Sequence, residues 1–203
     1  MQDRFYADKK DVWKWIVALR AAAPSRRILY VAMRTKSETN SYSGLFRERD
    51  EITRRVVEFF DKEVRELSTL RSLERITGLD PGIELAPEFY SAKDPTYFRA
   101  IENRLRKREK NRKYVVLLDP DTGIESKSPD KHKHLLLKDI VSVWSWIEPG
   151  DILLVYQERY FEPDWQDKKQ KQLQEALGKR VKVKIESHPA LRNQMCILRA
   201  DKL

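Results

Sequence analysis

Two aspartates separated by a single residue follow a short apolar run in the middle of the chain, within "YVVLLDPDTG" (114–123). Two carboxylates at this spacing can share a divalent cation such as Mg²⁺, or can hold a ligand group where a buried strand meets solvent. Pro120 restricts the backbone at its own position and at Asp119, and Gly123 permits a sharp turn. We therefore predict Asp119 and Asp121 as catalytic residues, with an ordinary Asp-Pro turn as the alternative. A residue at the mouth of a loop leaves no cavity when altered conservatively, so the fold is expected not to need Asp119.

Alternating helices and apolar strands would position this loop. Apolar runs predict buried strands at 28–33, 83–85, 114–118 and 152–156. Apolar residues at helical spacing predict helices over 11–22, 47–67, 95–112, 135–147 and 165–177. Two further β-like runs, 181–186 and 193–199, are close enough in sequence to pair as a hairpin.

This order of elements predicts one α/β domain over residues 1–203. It would be a Rossmann-like three-layer sandwich, with a mostly parallel sheet and a C-terminal antiparallel hairpin. Ligands of such sheets bind beyond the carboxyl ends of the strands. The predicted topology therefore places Asp119 at a ligand-binding edge.

The chain is strongly basic. Its 203 residues include 41 Lys or Arg against 32 Asp or Glu, a net charge of +9 that favours RNA or DNA as partners. The density is highest in "RLRKREKNRK" (104–113), where seven of ten residues are positive. We predict nucleic-acid contacts by four residues of this segment and by one residue beyond strand 152–156: Arg104, Arg106, Lys107, Arg108 and Arg159. A solvated helix face, with the side-chain stems covering apolar surface, is the alternative.

Aromatic and polar residues follow strand 152–156 in the run "YQERYFEPDW". Four of them can stack on a base or pack against the next helix: Tyr156, Tyr160, Phe161 and Trp165. Polar residues just past a strand end point into the crevice there, so Gln157 and Arg159 are further candidates for the site.

The cysteine and apolar content excludes several classes of protein. Cys196 is the only cysteine, so a disulfide framework and a cysteine-based metal site are excluded. The three histidines have no partners at metal-ligand spacing, and no metal ligands are predicted among them. The N-terminus is charged, and no apolar run approaches the roughly 20 residues needed to span a bilayer. We therefore expect a cytoplasmic protein without a membrane partner.

Several short motifs resemble one family. "LLDPDTGIE" (117–125), followed by a helix, "WIEPGDILLVY" and the terminal hairpin, looks like the back half of class I S-adenosylmethionine-dependent methyltransferases. "ADKKDVWKWIVAL" (7–19) resembles the opening of the large-subunit rRNA adenine-N6 methyltransferase and of the three-Cys-motif partner proteins. The similarity is greatest to a group of uncharacterised bacterial proteins that carry Phe-Leu-Asp-Pro-Asp-Asn-Gly.

The resemblance implies S-adenosylmethionine as the cofactor and an amino group of a nucleic-acid base as the target. Asp119 matches the first acid of the family's Asp-Pro-Pro-Tyr loop, whose carboxylate and backbone carbonyl hold the target amine near the methyl donor. Pro120 matches the first proline of that loop. Asp11 and Lys14 match residues of the N-terminal helix that lie near the cofactor.

The chain departs from the family pattern at four places, one of which is Trp15, in place of the histidine that follows the lysine in the family. Asp121 replaces the second proline, Thr122 replaces the aromatic that stacks on a flipped base, and no Gly-x-Gly loop follows strand 28–33. Two alternatives therefore stay open. One is a Mg²⁺-dependent phosphodiesterase or nuclease that joins Asp119 and Asp121 to Glu84, similar to the strand ends of Toprim enzymes. The other is a non-catalytic nucleic-acid-binding domain.

Overall fold

The computed structural model describes residues 9–23, 25–32, 50–62, 83–85, 96–125 and 134–203. The helices within these ranges are α1 (Lys9–Ala22), α2 (Glu51–Lys62), α3 (Thr96–Arg106), α4 (Leu137–Trp146) and α5 (Trp165–Leu177). The strands are β1 (Arg27–Ala32), β2 (Ile83–Leu85), β3 (Tyr114–Asp119), β4 (Gly123–Ile124), β5 (His134–Leu135), β6 (Ile152–Glu158), β7 (Val183–Glu186) and β8 (Met195–Asp201). None of the helices in the described ranges is long and apolar enough to cross a membrane.

Six of these strands form one sheet in the order β2-β1-β3-β6-β8-β7. β2, β1, β3 and β6 are parallel to one another, whereas β8 runs antiparallel to both of its neighbours. β4 and β5 form a separate parallel ladder. The architecture is the predicted Rossmann-like α/β fold, with a mostly parallel sheet and a C-terminal antiparallel hairpin made by β7 and β8.

Helices cover both faces of the sheet because its central strands are apolar on both sides. Along β3, Val115 and Leu117 belong to a core shared with α1 and α2. Val116 and Leu118 belong to a second core shared with α3, α4 and α5. Successive residues of a strand point to opposite faces, so a continuous apolar run is buried on both.

The carboxyl ends of β1 and β3 form a switch point in the path of the chain. β2, which comes after β1 along the chain, lies on one side of β1 in the sheet. β3 and β6, which come later still, lie on the other side of β1. Ala32 and Asp119, the last residues of β1 and β3, are paired at this edge. Open α/β sheets bind ligands in the crevice at such a point.

Helix α3 is shorter than its sequence pattern indicated. It ends at Arg106 rather than at 112. The guanidinium of Arg108 turns back and donates a hydrogen bond to the carbonyl of Leu105. Residues 107–113 therefore form the connection to the amino end of β3 instead of extending the helix.

Helix α4 also begins later than predicted, at Leu137 rather than at 135. The reason is the pairing of β5 with β4, which draws the chain before α4 into a short ladder with the loop after β3. The predicted helix over 47–67 is observed as α2 (Glu51–Lys62), and its residues 47–49 and 63–67 lie outside the described residues.

Candidate functional site

A buried cluster of charged side chains lies at the switch point; we call Asp11, Lys14, Tyr30 and Asp119 the Lys14 cluster. The ammonium nitrogen of Lys14 lies 2.9 Å from both carboxylate oxygens of Asp119 and 2.5 Å from Oδ1 of Asp11. The hydroxyl of Tyr30 donates to Oδ2 of Asp119 at 2.6 Å. All four residues are at most 4% exposed. Parts of the chain 105 residues apart therefore meet in one cluster.

Local geometry directs these side chains toward one another. Asp11 and Lys14 are three residues apart on α1 and so share one helix face. Asp119 is in phase with Leu117 on β3, which places its carboxylate on the side of the sheet that α1 covers. Tyr30, on the neighbouring strand β1, belongs to the same face.

The charge state of Lys14 follows from these surroundings. Burial on its own lowers the pKa of a lysine, because the charged form loses its hydration. The carboxylates of Asp11 and Asp119 outweigh this effect and raise the pKa of Lys14 above its ordinary value. The ring of Tyr156 lies 4.6 Å from the ammonium and adds a cation–π contact. Lys14 is therefore held in its protonated form.

The loop after β3 is braced by the side chain of Gln157, which is buried within β6. Its oxygen accepts a hydrogen bond from the backbone N–H of Ile124 at 2.9 Å, and its nitrogen donates to the carbonyls of Thr122 and Glu158. Gly123 has a φ of 106°, and a Cβ there would lie 2.5 Å from Oε1 of Gln157. Both the backbone angle and the lack of space therefore require glycine at this position.

A second group of contacts holds the far side of the same loop. Lys169, buried on α5, donates to the carbonyls of Ile124 at 3.0 Å and Glu125 at 2.8 Å. Burial lowers the pKa of this lysine. The carboxylate of Glu125 accepts a hydrogen bond from the backbone N–H of Leu137 at the start of α4, where a negative charge is favoured. Elements on both sides thus keep the loop in one conformation.

An open cleft of about 440 Å³ lies at the carboxyl ends of β3 and β6. Its lining includes Thr122 and His134, whose Oγ1 and Nδ1 atoms are 2.8 Å apart, and Arg159 just beyond β6. Phe161, at the rim of the cleft, is 97% exposed. The cleft therefore combines polar groups with one aromatic ring that is open to solvent.

The predicted catalytic and cofactor-binding residues share this edge but differ in exposure. Asp119 joins Asp11 and Lys14 in the cluster, with its carboxylate fully buried. Pro120 is buried beside it, and Asp121 is half-buried. The expectation that Asp119 lies at an open loop mouth is wrong, because the alternation of β3 turns its side chain into the layer beneath α1.

The residues considered for a magnesium site do not converge. Glu84 accepts hydrogen bonds from Arg27 at 2.9 Å and from Tyr114 at 3.0 Å, near the amino ends of β1 and β3. Asp119 lies at the opposite end of β3. Across the ranges that the structure describes, no group of three or more His, Cys, Asp or Glu is placed to hold a metal ion.

The predicted nucleic-acid residues lie at opposite edges of the sheet. Segment 104–113 leads to the amino end of β3, whereas Arg159 follows the carboxyl end of β6. The side chain of Arg108 is only 5% exposed and lies 2.6 Å from the carboxylate of Asp151. It also donates to the carbonyl of Trp146. Arg108 therefore joins the ends of α3 and α4 to the start of β6 and does not face solvent as a phosphate contact would.

Burial differs among the four aromatic residues that were predicted to stack on a base, at the end of β6 and after it. Tyr156 and Trp165 are 4% and 9% exposed, and Tyr160 is half-buried, so Phe161 is the ring that presents its face to solvent. Sequence reasoning missed Tyr30, because a tyrosine within a buried strand gives no local sign of where its hydroxyl will bond. It also missed the ion pair of Lys10 with Glu158, which joins the start of α1 to the end of β6.

Comparisons with known proteins give weak similarities. No model of a protein family matches the chain, and no curated protein matches it. A solved structure of a candidate methyltransferase from Thermobifida fusca YX is 14% identical with a TM-score of 0.42, covering 96% of this chain and 80% of that chain. An O-methyltransferase family protein from Burkholderia thailandensis is 10% identical with a TM-score of 0.42, covering 95% of this chain and 56% of that chain. Similarities of this size do not establish a family.

Proposed function

We propose that the chain is a methyltransferase-like protein that binds S-adenosylmethionine at the carboxyl ends of β1 and β3 and acts on an amino group of a nucleic-acid base. The observation that carries the proposal is the contact between Lys14 and Asp119. These residues belong to the two motifs that resemble amino-directed methyltransferases, and they meet at the switch point of the sheet. Such a meeting is expected of one shared site and is not required of two unrelated short motifs.

The charge of the Lys14 cluster suits a cationic ligand. The cluster contains two carboxylates, those of Asp11 and Asp119, on either side of the Lys14 ammonium. S-adenosylmethionine carries a sulfonium, an α-ammonium and a carboxylate, so its net charge is positive, and positive charge is favoured near carboxylates. When bound, this cofactor supplies an electrophilic methyl group. The segment after β1, where the Gly-x-Gly loop is missing from the sequence, lies outside the described residues.

Asp119 acts in this proposal as a positioning residue. Because Lys14 and Tyr30 occupy its two oxygens, its carboxylate is engaged and not open to a target amine. It fixes the start of the loop after β3, and Gln157 fixes the end of that loop. Thr122 of this rigid loop lines the cleft, so the loop is placed to contact the target amine.

Phe161 favours a nucleobase as the group that enters the cleft. Its ring is exposed at the rim, and stacking of a base on an aromatic side chain contributes about 1–3 kcal/mol. Thr122 stands where the related loop has a stacking aromatic, and Phe161 supplies such a ring from the next loop along the sheet. Arg159 lines the same cleft and can bind a phosphate of the same strand.

Titration calorimetry tests the proposed cofactor. We expect S-adenosylmethionine and its product S-adenosylhomocysteine to bind the purified chain without magnesium. Any heat that magnesium alone produces should be the same for the unaltered chain and for the Asp121→Asn variant. Failure of both adenosyl compounds to bind at millimolar concentration would overturn the proposal. Magnesium binding that depends on Asp121 would favour the metal-dependent alternative instead.

Replacement of Phe161 tests the proposed substrate. Phe161→Ala should weaken binding of single-stranded RNA about 10-fold, in line with the loss of one stacked base, and should leave S-adenosylmethionine affinity unchanged. Val141→Ala on α4 is a matched control, because Val141 is also exposed but lies outside the cleft. The same substitution is also tested with an RNA that has abasic positions. If it weakened binding of that RNA as much as binding of the intact strand, Phe161 would not be a stacking residue.

A further inference from the structure

Basic residues from four segments gather at the amino ends of the parallel strands, around a fifth segment that carries Glu148 and Asp151. We call this surface the amino edge and define it by residues 26–27, 104–113, 147–151, 178–182 and 202. The segments precede β1, β3, β6 and β7 or follow β8, which is antiparallel and so ends at the same edge. Only one of the five, 104–113, is conspicuously basic in the sequence.

Hydrogen bonds hold four of these segments together, 26–27, 104–113, 147–151 and 202, and the fifth, 178–182, connects α5 to β7. The side chain of Arg26 donates to the carbonyl of Gly150 at 3.0 Å, and the backbone N–H of Arg27 donates to the carbonyl of Lys113 at 2.9 Å. The backbone N–H of Gly150 donates to the carbonyl of Lys202 at 2.7 Å. The charges of the amino edge are thus positioned by backbone contacts and not by flexible tails.

The amino edge accounts for the whole net charge of the chain. Its segments contain thirteen Lys or Arg and three Asp or Glu, a difference of +10, whereas the full chain has +9. The rest of the chain is therefore close to neutral. A basic composition spread evenly over a surface serves solubility, but a concentration at one edge creates a local field that attracts polyanions.

Helix ends explain only part of this concentration. The helix dipole favours Arg104 and Arg106 in the last turn of α3, but the effect falls off within one turn, and the last turn of α5 has no basic residue. Lys110 and Lys182 lie beyond those turns, at the approach to β3 and β7. Within the described part of the chain, Lys107, Lys110, Arg180 and Lys182 are exposed and form no ion pair. Their charges therefore remain available to an anionic partner.

We propose that the amino edge is a docking surface for the phosphate backbone of a nucleic acid, separate from the cleft at the carboxyl edge. The positive charges of four segments complement a regular row of phosphates, and binding of this kind needs no base contact. In the described part of the chain, Leu203 is the only large apolar side chain that is exposed next to the amino edge. The surface therefore offers little to insert into a membrane. This inference does not rest on the proposed methyl-transfer activity.

The position of the amino edge has a consequence for how a nucleic acid is held. β3 has six residues and spans roughly 17 Å between the two edges, at about 3.3 Å per residue. A phosphate bound near Lys110 therefore lies far from a base in the cleft. The amino edge would retain a structured nucleic acid and would not present the reacting base.

Substitution of the four exposed and unpaired residues tests the proposal with a fluorescently labelled RNA hairpin. Lys107, Lys110, Arg180 and Lys182 are changed together to glutamine, and binding is followed by anisotropy over a range of salt concentrations. We expect at least about 10-fold weaker binding near physiological salt, with the salt dependence reduced by about one unit for each lost phosphate contact. Arg108 is left intact because it is part of the fold.

A matched variant controls for net charge alone. Arg99, Lys138, Lys168 and Lys171 lie on α3, α4 and α5 outside the amino edge and are exposed, and the last two pair with Glu162 and Glu175. Changing these four to glutamine removes the same charge and should alter RNA affinity by less than about threefold, because distant charges are screened by salt. Equal losses in both variants, or unchanged affinity in the first, would overturn the proposal. The proposal would also be overturned if the unaltered protein bound phosphatidylserine vesicles and the first variant lost that binding but kept its RNA binding.

Discussion

The Lys14–Asp119 pair is buried on every side, so each of its charges depends on the other. Taking two charges out of water is costly, and their attraction offsets this cost only when the geometry is good and the remaining lone pairs are satisfied. Both conditions hold here, through two contacts of 2.9 Å and the hydroxyl of Tyr30. The sequence predicted Asp119 at the end of a strand. The orientation of its side chain depends on the contact with Lys14 of α1, which lies 105 residues away in the sequence.

Asp119→Asn is expected to destabilise the fold. The substitution leaves the Lys14 ammonium with Asp11 as its remaining carboxylate in the cluster, and breaking a buried pair by removing one partner costs about 3 kcal/mol. Urea unfolding of the purified variant measures this loss. Asp121→Asn, at a half-buried position two residues later, should cost less than about 1 kcal/mol. Equal stability of the two variants would show that the Lys14–Asp119 pair contributes little to the fold.

Cys196 is expected to make the protein sensitive to alkali. Burial raises the pKa of its thiol from 9.0 to about 12, so the thiol stays neutral in the folded state while it ionises in the unfolded state above pH 9. The unfolded state then binds fewer protons, and stability falls as pH rises from about 9 toward 12. At pH 10 this loss is about 1.4 kcal/mol relative to pH 8.

The alkaline loss is measured by urea unfolding at both pH values, with Cys196→Ala as the comparison. This variant is less stable at every pH because it leaves a small cavity, but its loss between pH 8 and pH 10 should be smaller. Burial also raises the pKa of Tyr114 from 10.0 to about 12, and that contribution persists in both proteins. Identical pH dependence in the two proteins would exclude Cys196 as a source of the effect.

Among the elements, the short ladder of β4 and β5 depends on contacts that no local pattern reveals. The helix over 165–177 and the strand over 83–85 were predicted with their observed bounds, because their apolar spacing agrees with the sheet they pack in. The end of α3 and the start of α4 were not, because Arg108 and the β4–β5 ladder act there through tertiary contacts. The spacing of apolar residues in the sequence does not indicate where tertiary contacts will end or delay a helix.

Gly123→Ala is expected to disrupt the loop that lines the cleft. At a φ of 106° any side chain is strained, and the new Cβ would also displace Gln157 from its three hydrogen bonds. We expect a loss of about 2–3 kcal/mol in the free energy of unfolding. Gly178→Ala is the matched control, because Gly178 has a φ of 112° and a Cβ added there would meet no atom within 4 Å.

The difference between the two alanine variants isolates the contact with Gln157. Both suffer the backbone strain, so Gly123→Ala should be less stable than Gly178→Ala and should also bind ligands of the cleft more weakly. Unfolding in urea and anisotropy with single-stranded RNA provide the two measurements. Equal losses of stability in both variants would mean that Gln157 yields easily and does not brace the loop.

For the molecule as a whole, the sheet separates two surfaces of different character. The carboxyl edge holds the Lys14 cluster and a cleft with mixed polar groups, and the amino edge holds the excess positive charge. Composition alone indicated a basic protein, and one segment indicated where the charge is densest. The other segments gather there because the parallel strands all start at this edge, and because β8, which is antiparallel, ends at it.

The two edges are expected to act independently. Perturbations more than about 10 Å apart that share no partner usually add within about 0.5 kcal/mol. Combining Asp119→Asn with the four amino-edge substitutions should therefore lower the free energy of unfolding by the sum of the separate effects. RNA affinity should fall by the same factor whether or not Asp119 is intact, and S-adenosylmethionine affinity should not respond to the amino-edge substitutions. Urea unfolding, anisotropy and calorimetry on the single and combined variants complete the cycle. A coupling above about 1 kcal/mol between the edges would contradict this independence, because it would require β3 to transmit a change that a rigid, fully buried strand should not transmit.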